Sequence, residues 1–316
     1  MNDEYCDTDN NDVSPDGYDF HDGDAVAWEA NGTYSSIIYA DRAVEIIQQQ
    51  QNKQSPFFLY IAFQNVHDPL QVPQEYLDLY PGEVDHDRRA LLGMVSAMDD
   101  AVGRVVGTLR STGLADNTLI VFSSDNGGTS PGVNLPLRGY KGSLWEGGTR
   151  VPALIHGPML ANTPRLHSQL FHVTDWHATL LEAAEAPTLA DKNDGFSQWE
   201  ALRSGQTVSP RESHIYNLNS PHQEEVVGAI RVGQYKLLVG PQEDTTEEGP
   251  WLFDLDNDPS ETTNLAGDRP DLVVELEALL MAELDSLVPL DEPESDPAGD
   301  PSNFGGVWTP GWCVAH

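Results

Sequence analysis

Three short stretches place chemically capable side chains beside glycine or proline. The first is Asp125-Asn126-Gly127-Gly128. A carboxylate and an amide oxygen are hard ligands that suit Ca²⁺, or less well Mg²⁺, and the two glycines allow a close backbone approach. The same residue types dominate turns for local reasons, so taken alone the segment reads first as a turn. The second is His67, followed by Asp68-Pro69. An imidazole at a strand end can take or give a proton near neutral pH; a lone histidine is as readily a half-buried side chain bonded to a backbone carbonyl. The third is the Gly-rich stretch 138–150, with Lys141, Arg138 and Arg150, three of only 16 basic residues. A local positive spot on a chain of net charge −35 is what an anion site requires; the alternative is a solvated loop. Trp145 and Glu146, set among glycines, are not what a flexible linker carries.

The elements that position these groups follow from apolar spacing. Ile37, Ile38, Val44 and Ile47 space a helix. Residues 57–63 form a short apolar, aromatic run that reads as a strand buried on both faces. Leu91, Met94, Val95, Met98, Val102, Val105, Val106 and Leu109 recur at steps of three and four, the mark of an amphipathic helix, with Gly113 as its stop. Residues 118–123 and 151–155 read as two further buried strands, and 174–184 as a helix. Helix alternating with buried strand is the grammar of an α/β domain with a largely parallel sheet flanked by helices. Ligands of such sheets bind beyond the carboxyl ends of the strands, where His67, Asp125, Asn126 and Lys141 could meet. After about residue 208 the pattern changes to alternating strands at 226–239 and 251–256. A helix follows, with Pro270 at its first position and Leu272, Val273, Leu276, Leu279, Leu280 and Leu284 as its stripe. The expected domains are therefore 1–208, with an acidic irregular stretch at 1–24, and a small α+β unit at 209–316 with an extended tail.

Composition narrows the function classes. Sixteen Lys and Arg stand against 51 Asp and Glu among 316 residues. Nucleic acid and anionic membrane both want a basic surface, so neither is an expected partner. No run approaches the roughly 18 apolar residues of a membrane-spanning helix. No basic stretch with an apolar core follows Met1, so no signal peptide is visible. Cys6 and Cys313 are too few for a four-thiolate zinc site and are read as inert or structural thiols, paired or separate. Asp254-Leu255-Asp256-Asn257-Asp258 imitates the start of an EF-hand loop, but Pro259 stands where glycine is required and Leu265 where glutamate is, so a surface turn is expected.

Read in order, a set of segments resembles the type I sulfatases, and within them the arylsulfatase B-like enzymes. The set runs through Val66-His67-Asp68-Pro69, Met94-Val95-Ser96-Ala97-Met98-Asp99, Ser124-Asp125-Asn126-Gly127-Gly128, Pro136-Leu137-Arg138-Gly139-Tyr140-Lys141, Leu144-Trp145-Glu146-Gly147-Gly148-Thr149-Arg150, Phe171-His172-Val173-Thr174-Asp175-Trp176 and Trp251-Leu252-Phe253-Asp254-Leu255. The resemblance implies an alkaline-phosphatase-like fold with a small C-terminal domain, and hydrolysis of sulfate esters, arylsulfates or sulfated sugars, with one Ca²⁺. It implies Asp125 and Asn126 as metal ligands and Lys141 on the sulfate and leaving-group oxygen. His67 would bind sulfate or protonate the leaving group, and Arg138 would lie at the substrate. A secreted, periplasmic or lysosomal setting goes with the family.

Parts of the family pattern are missing, among them its early paired aspartates and its Lys-x-His segment. These enzymes attack sulfur with a formylglycine made from cysteine in Cys-x-Pro-x-Arg. Neither Cys6 nor Cys313 lies in such a segment, and Asn134-Leu135-Pro136-Leu137-Arg138 has the spacing but asparagine in the nucleophile's place. No residue here is assigned as nucleophile. The chain is thus expected to correspond to the latter two-thirds of such an enzyme, N-terminally truncated and inactive alone. The alternatives are a non-catalytic remnant binding Ca²⁺ or a sulfated ligand, and a phosphatase or phosphodiesterase of the same superfamily. An unpaired sheet edge would favour self-association.

Overall fold

A computed structural model describes residues 17–53, 55–187, 194–206, 208–219, 226–242, 245–246, 249–288 and 296–309. Cys6, Cys313 and most of the acidic 1–24 stretch lie outside the described residues. The chain forms two compact units, one of residues 1–115 with 291–316 and one of residues 116–290.

In the first unit a two-residue ladder, β1 (His21–Asp22) with β2 (Ala25–Val26), precedes α1 (Ser35–Gln50), α2 (Gln74–Leu77) and α3 (His86–Ser111). Asp85 caps α3 by accepting from the Arg88 amide at 2.7 Å, and Gly113, at φ +75°, follows its end. Helices α1 and α3 pack together. Their buried faces are Ala40, Ala43 and Ile47 on one side and Ala90, Gly93, Met94, Ala97, Ala101 and Leu109 on the other. This turns α3 away from the stripe expected from its large apolar residues; Val95 is 43% exposed. Small side chains let the two backbones approach closely, which outweighs the larger apolar area that Val95 could have buried. Residues 57–63 are extended, but they join no sheet among the described residues, and Phe58 and Tyr60 are 79% and 80% exposed. The expected two-sided burial becomes alternation, with one face half-covered, because an apolar run does not itself specify its neighbours. The described tail turns twice in 3-10 form and pairs Val307 with Tyr18.

The second unit opens with β3 (Ile120–Ser123), paired antiparallel to β4 (Ala153–His156), with α4 (Glu146–Thr149) between them in sequence. Helix α5 (Asp175–Ala183) and α6 (Trp199–Ser204) follow, around a cluster of Leu160, Trp199 and Leu202 backed by Leu119 and Ile155. Asp175 is buried and accepts from Arg211 at 2.6 Å and from the amides of His172 and Phe196. Burial alone would raise its carboxyl; the Arg211 bonds and the two amides outweigh burial and hold it below the usual range.

A four-stranded antiparallel sheet then forms in the order β5 (Ser213–Tyr216), β6 (Gly228–Val232), β7 (Tyr235–Val239), β8 (Trp251–Asp254). Period-two alternation gives it two faces. Ile230, Leu237, Val239 and Leu252 meet Val273, Leu276 and Leu280 of α7 (Pro270–Ala282). Tyr216, Ala229, Leu238, Trp251 and Phe253 face the other way and receive Leu144 and Trp145. The mixed helix-and-sheet class and the small C-terminal α+β unit are those expected. In detail, every strand pairing in the described sheets is antiparallel; alternation in sequence does not by itself distinguish parallel from antiparallel neighbours.

His214 stacks between His172 and Tyr216, with ring centroids 4.5 and 3.9 Å away. Burial first, then the nearby His172, Arg211, Lys236 and Arg231, pushes its imidazole down to about 3 from 6.5. The unfolded chain therefore binds a proton that the folded one refuses, and stability drains away as pH falls from 6.5 toward about 3. Thermal unfolding between about pH 7 and about pH 4 should show a shallower acid decline for His214→Asn than for the parent. Parallel curves would contradict this account.

Candidate active site

Within the second unit, the turn 125–128 and the loop 134–148 are fastened to each other through backbone atoms. The Gly127 amide donates to the Gly148 carbonyl at 2.9 Å, and the Lys141 amide to the Gly128 carbonyl at 3.2 Å. The Gly147 amide donates to the Arg138 carbonyl at 2.6 Å. A Cβ on Gly127 would lie 1.8 Å from the Gly147 carbonyl oxygen, and one on Gly147 would lie 2.4 Å from that of Arg138. Both positions therefore admit only glycine, and the purpose is proximity.

Asn134 is the pin of this loop. Its Oδ1 accepts from the Gly128 amide at 2.8 Å, while its Nδ2 donates to the carbonyls of Gly128 and Gly139 at 2.8 and 3.1 Å. The residue that sits in a nucleophile's spacing thus has a structural role. Asp125 Oδ1 accepts from the Asn126 amide at 2.9 Å, and Asn126 Nδ2 donates to the Gly127 carbonyl at 2.8 Å. These bonds orient two hard oxygen donors, the Asp125 carboxylate and Asn126 Oδ1. Their chemistry fits a divalent cation, although two donors are fewer than the six to eight oxygens that Ca²⁺ takes. Among the described residues no group of three or more His, Cys, Asp or Glu is gathered for a metal.

The three cations of the loop have different environments. Arg138 lies over the Trp145 ring, 3.7 Å from its centroid. Arg150 Nη1 stands 3.8 Å from Glu146 Oε2. Lys141 is exposed, and its ammonium has no partner among the described residues. One cation holds the loop by cation–π contact, one neutralises a buried acid, and one is left for an anion.

Beneath the loop, Trp145 is fully buried and meets Trp251 and Phe253 edge-on, each with centroids 5.8 Å apart. Next to it, Glu146 and Glu261, each 1% exposed, share Lys236, which is 0% exposed. Lys236 Nζ stands 3.0 Å from Glu146 Oε1 and 2.9 Å from Glu261 Oε1. Glu261 Oε2 accepts from the Glu146 amide at 2.6 Å, and Lys236 Nζ also lies 4.5 Å from the Tyr216 ring centroid. Burial, only partly offset by Lys236, raises the Glu261 carboxyl above its ordinary value. The sequence analysis did not find this triad. Its signal was present: Lys236 shares a strand face with Leu238, so alternation alone puts an ammonium in the core.

In the first unit, His67 is exposed; its Nδ1 lies 3.0 Å from the Asp68 carbonyl, and its amide donates to the Gln64 carbonyl. Asn65 anchors the loop, donating to Tyr34 Oη and the Met94 carbonyl at 2.9 Å each and accepting from Ser36 Oγ. The structure thus brings Asp125, Asn126, Arg138 and Lys141 together in one unit and holds His67 on a braced loop of the other.

Residues 1–186 match the family model described as Sulfatase, and residues 140–288 that of the N-sulphoglucosamine sulphohydrolase C-terminal region. Arylsulfatase J of Mus musculus is 34% identical over 93% of this chain and 56% of its own length. Arylsulfatase A of Homo sapiens is 31% identical over 79% of this chain and 53% of its own. The crystal structure of Ps i-CgsB in complex with k-i-k-neocarrahexaose superposes with a TM-score of 0.71 at 32% identity, over 79% of this chain and 54% of that one. The chain spans about half the length of the curated relatives it matches.

Two substitutions test this architecture by urea unfolding. Asn134→Ala should cost roughly 0.5–1.5 kcal/mol, because it removes three hydrogen bonds from an exposed to half-buried loop. Lys236→Met should cost about 3–5 kcal/mol, leaving the buried Glu261 without a cation and Glu146 with Arg150 alone, and adding Glu146→Gln and Glu261→Gln should recover part of the loss. Unchanged stability in Lys236→Met would show that the triad is not a working ion cluster.

Proposed function

The chain belongs to the sulfatase family, and we propose that it acts on sulfate esters of sugars. The observation that carries this reading is the fastening of the oxygen-donor turn at Asp125 and Asn126 to the loop bearing Lys141, the one loop cation without a partner among the described residues. The relatives add support for the ligand class: one is an N-acetylgalactosamine-6-O-sulfatase of Bacteroides thetaiotaomicron, and one solved neighbour is in complex with k-i-k-neocarrahexaose.

In this proposal Asp125 and Asn126 supply oxygen ligands for Ca²⁺. When bound, that ion would withdraw electron density from the sulfate oxygens and offset charge developing on them. Lys141 holds the sulfate and neutralises charge on the leaving oxygen. A sugar alkoxide leaves at neutral pH only with a proton supplied, and an imidazole such as that of His67 is a group of suitable chemistry for it. Arg138, stacked on Trp145, keeps Lys141 in place and adds positive potential at the substrate. The attacking group is assigned to no residue of these 316. Binding of a sulfate ester without turnover is a second reading.

Calorimetry with inorganic sulfate and thermal unfolding with CaCl₂ separate these roles. Lys141→Ala should abolish sulfate binding and leave the Ca²⁺ response intact. Asp125→Ala should abolish the Ca²⁺ response, which for the parent amounts to about 2.7 kcal/mol at a hundredfold excess over Kd. Release of 4-nitrophenol from its sulfate ester rather than its phosphate ester would identify the hydrolase; sulfate binding with no release would identify the binding protein. If neither sulfate nor Ca²⁺ binds, both readings are lost.

A further inference from the structure

Asparagine stands directly before glycine twice in the chain, at Asn31-Gly32 and at Asn126-Gly127. This pair of residues can modify itself. The glycine amide nitrogen reaches the asparagine Cγ, because no Cβ on the glycine obstructs the approach. A new N–Cγ bond closes a five-membered imide, the Cγ–Nδ2 bond breaks, and the amide proton departs with Nδ2 as ammonia. Water then opens the imide at one carbonyl or the other, leaving aspartate or isoaspartate. The ring closes only when the peptide group joining the two residues rotates about the asparagine Cα–C bond. What holds that peptide group therefore decides which asparagine reacts.

Asn31 follows the 3-10 turn Trp28–Ala30 and is exposed, as is Gly32. Asn31 has φ −58° and ψ 131°, Gly32 has φ +83°, and the Thr33 amide donates to the Ala30 carbonyl at 3.0 Å. These are the features of a type II turn with Asn31 and Gly32 at its centre. Among the described residues neither polar atom of the central peptide, the Asn31 carbonyl or the Gly32 amide, makes a backbone hydrogen bond. A Cβ on Gly32 would meet nothing within 4 Å. The central peptide thus stands in water, and turning it over costs no hydrogen bond of its own.

Asn126 is held in the opposite way. The Gly127 amide donates to the Gly148 carbonyl at 2.9 Å, and the Asn126 carbonyl accepts from Ser124 Oγ at 3.1 Å. Asn126 Nδ2 is itself bonded to the Gly127 carbonyl at 2.8 Å. Gly127 is wedged so closely that a Cβ there would lie 1.8 Å from the Gly147 carbonyl oxygen. Rotating this peptide group means breaking both of its bonds and parting the two segments. We infer that Asn31 is the position at which this chain deamidates spontaneously, and that the fastening of the turn 125–128 to the loop 134–148 preserves the amide of Asn126. Conversion at 126 would exchange an amide oxygen donor for a carboxylate, so the contacts that place this turn also maintain its chemistry.

Peptide mapping by mass spectrometry tests the inference on the whole chain, aged at mildly alkaline pH. In the folded protein the peptide containing Asn31 should gain the mass of an amide-to-acid exchange. The peptide containing Asn126 should do so about tenfold more slowly or slower still, the ratio that opening two hydrogen bonds represents. In urea, with both turns released, the two positions should convert at similar rates. Asn31→Gln, whose longer side chain would have to close a six-membered ring, should remove the fast conversion. An unconverted Asn31 in the folded chain, or equal rates at 31 and 126 before urea is added, would overturn the inference. A difference that persists in urea would trace to flanking residues instead of the fold, and a fast conversion that survives Asn31→Gln would belong to another residue; either result overturns it as well.

Discussion

The buried contact of Lys236 with Glu146 and Glu261 is the constraint on which the second unit depends. It joins a loop residue, a sheet residue and a residue beyond the last strand, separated by 90 and 25 positions in the chain. None of these groups can be buried alone, because an unpaired charge in an apolar interior costs several kcal/mol. Loop and sheet must therefore close together or not at all. Trp145 adds apolar area and edge-on aromatic contacts to the same junction. The catalytic-looking residues lie above this junction and contribute little to it. Rigidity is supplied from below by groups that have no chemistry to perform, so Lys141 and Asp125 can stay exposed without being loosely placed.

The net charge of −35 looks hostile to an anionic substrate. The arrangement of the loop resolves this. Charges beyond about 8–10 Å are largely screened at physiological salt, so in the proposed reading a sulfate group at the loop would sense Lys141 and Arg138 more than acids farther away. Glu146, the nearest carboxylate in sequence, is buried and neutralised by Lys236 and Arg150. Its negative charge is thereby largely offset within the junction.

Legibility differed from residue to residue. Gly127 and Gly147 were visible as glycines, but the reason for them, a backbone approach that leaves no room for a Cβ, appears only when the two segments are seen in contact. Helix α3 was legible from its stripe at Leu91 to Leu109 and its stop at Gly113, but not its start at the capping Asp85, and its buried face turned toward Ala90, Ala97 and Ala101 because α1 offers alanines to pack against. Residues 57–63 were legible as extended chain and not as to what covers them. Asn134 stood out for a spacing that has nothing to do with its work. Lys236 and Glu261 did not stand out at all, although the alternation of β7 already placed the lysine on an inward face.

What the sequence determined by itself was whatever depends on neighbours in the chain: the ordered motifs that announce the family, the helices with their stops, the oxygen-donor turn and the cation-bearing loop. Those features arise from local sterics and short-range periodicity, which a linear pattern carries in full. The tertiary structure alone decided which polar groups are partners and which of three cations has no partner among the described residues. Such choices depend on contacts between residues 70 to 115 positions apart, and no local pattern specifies them, because burial and pairing are properties of the space between segments rather than of either segment.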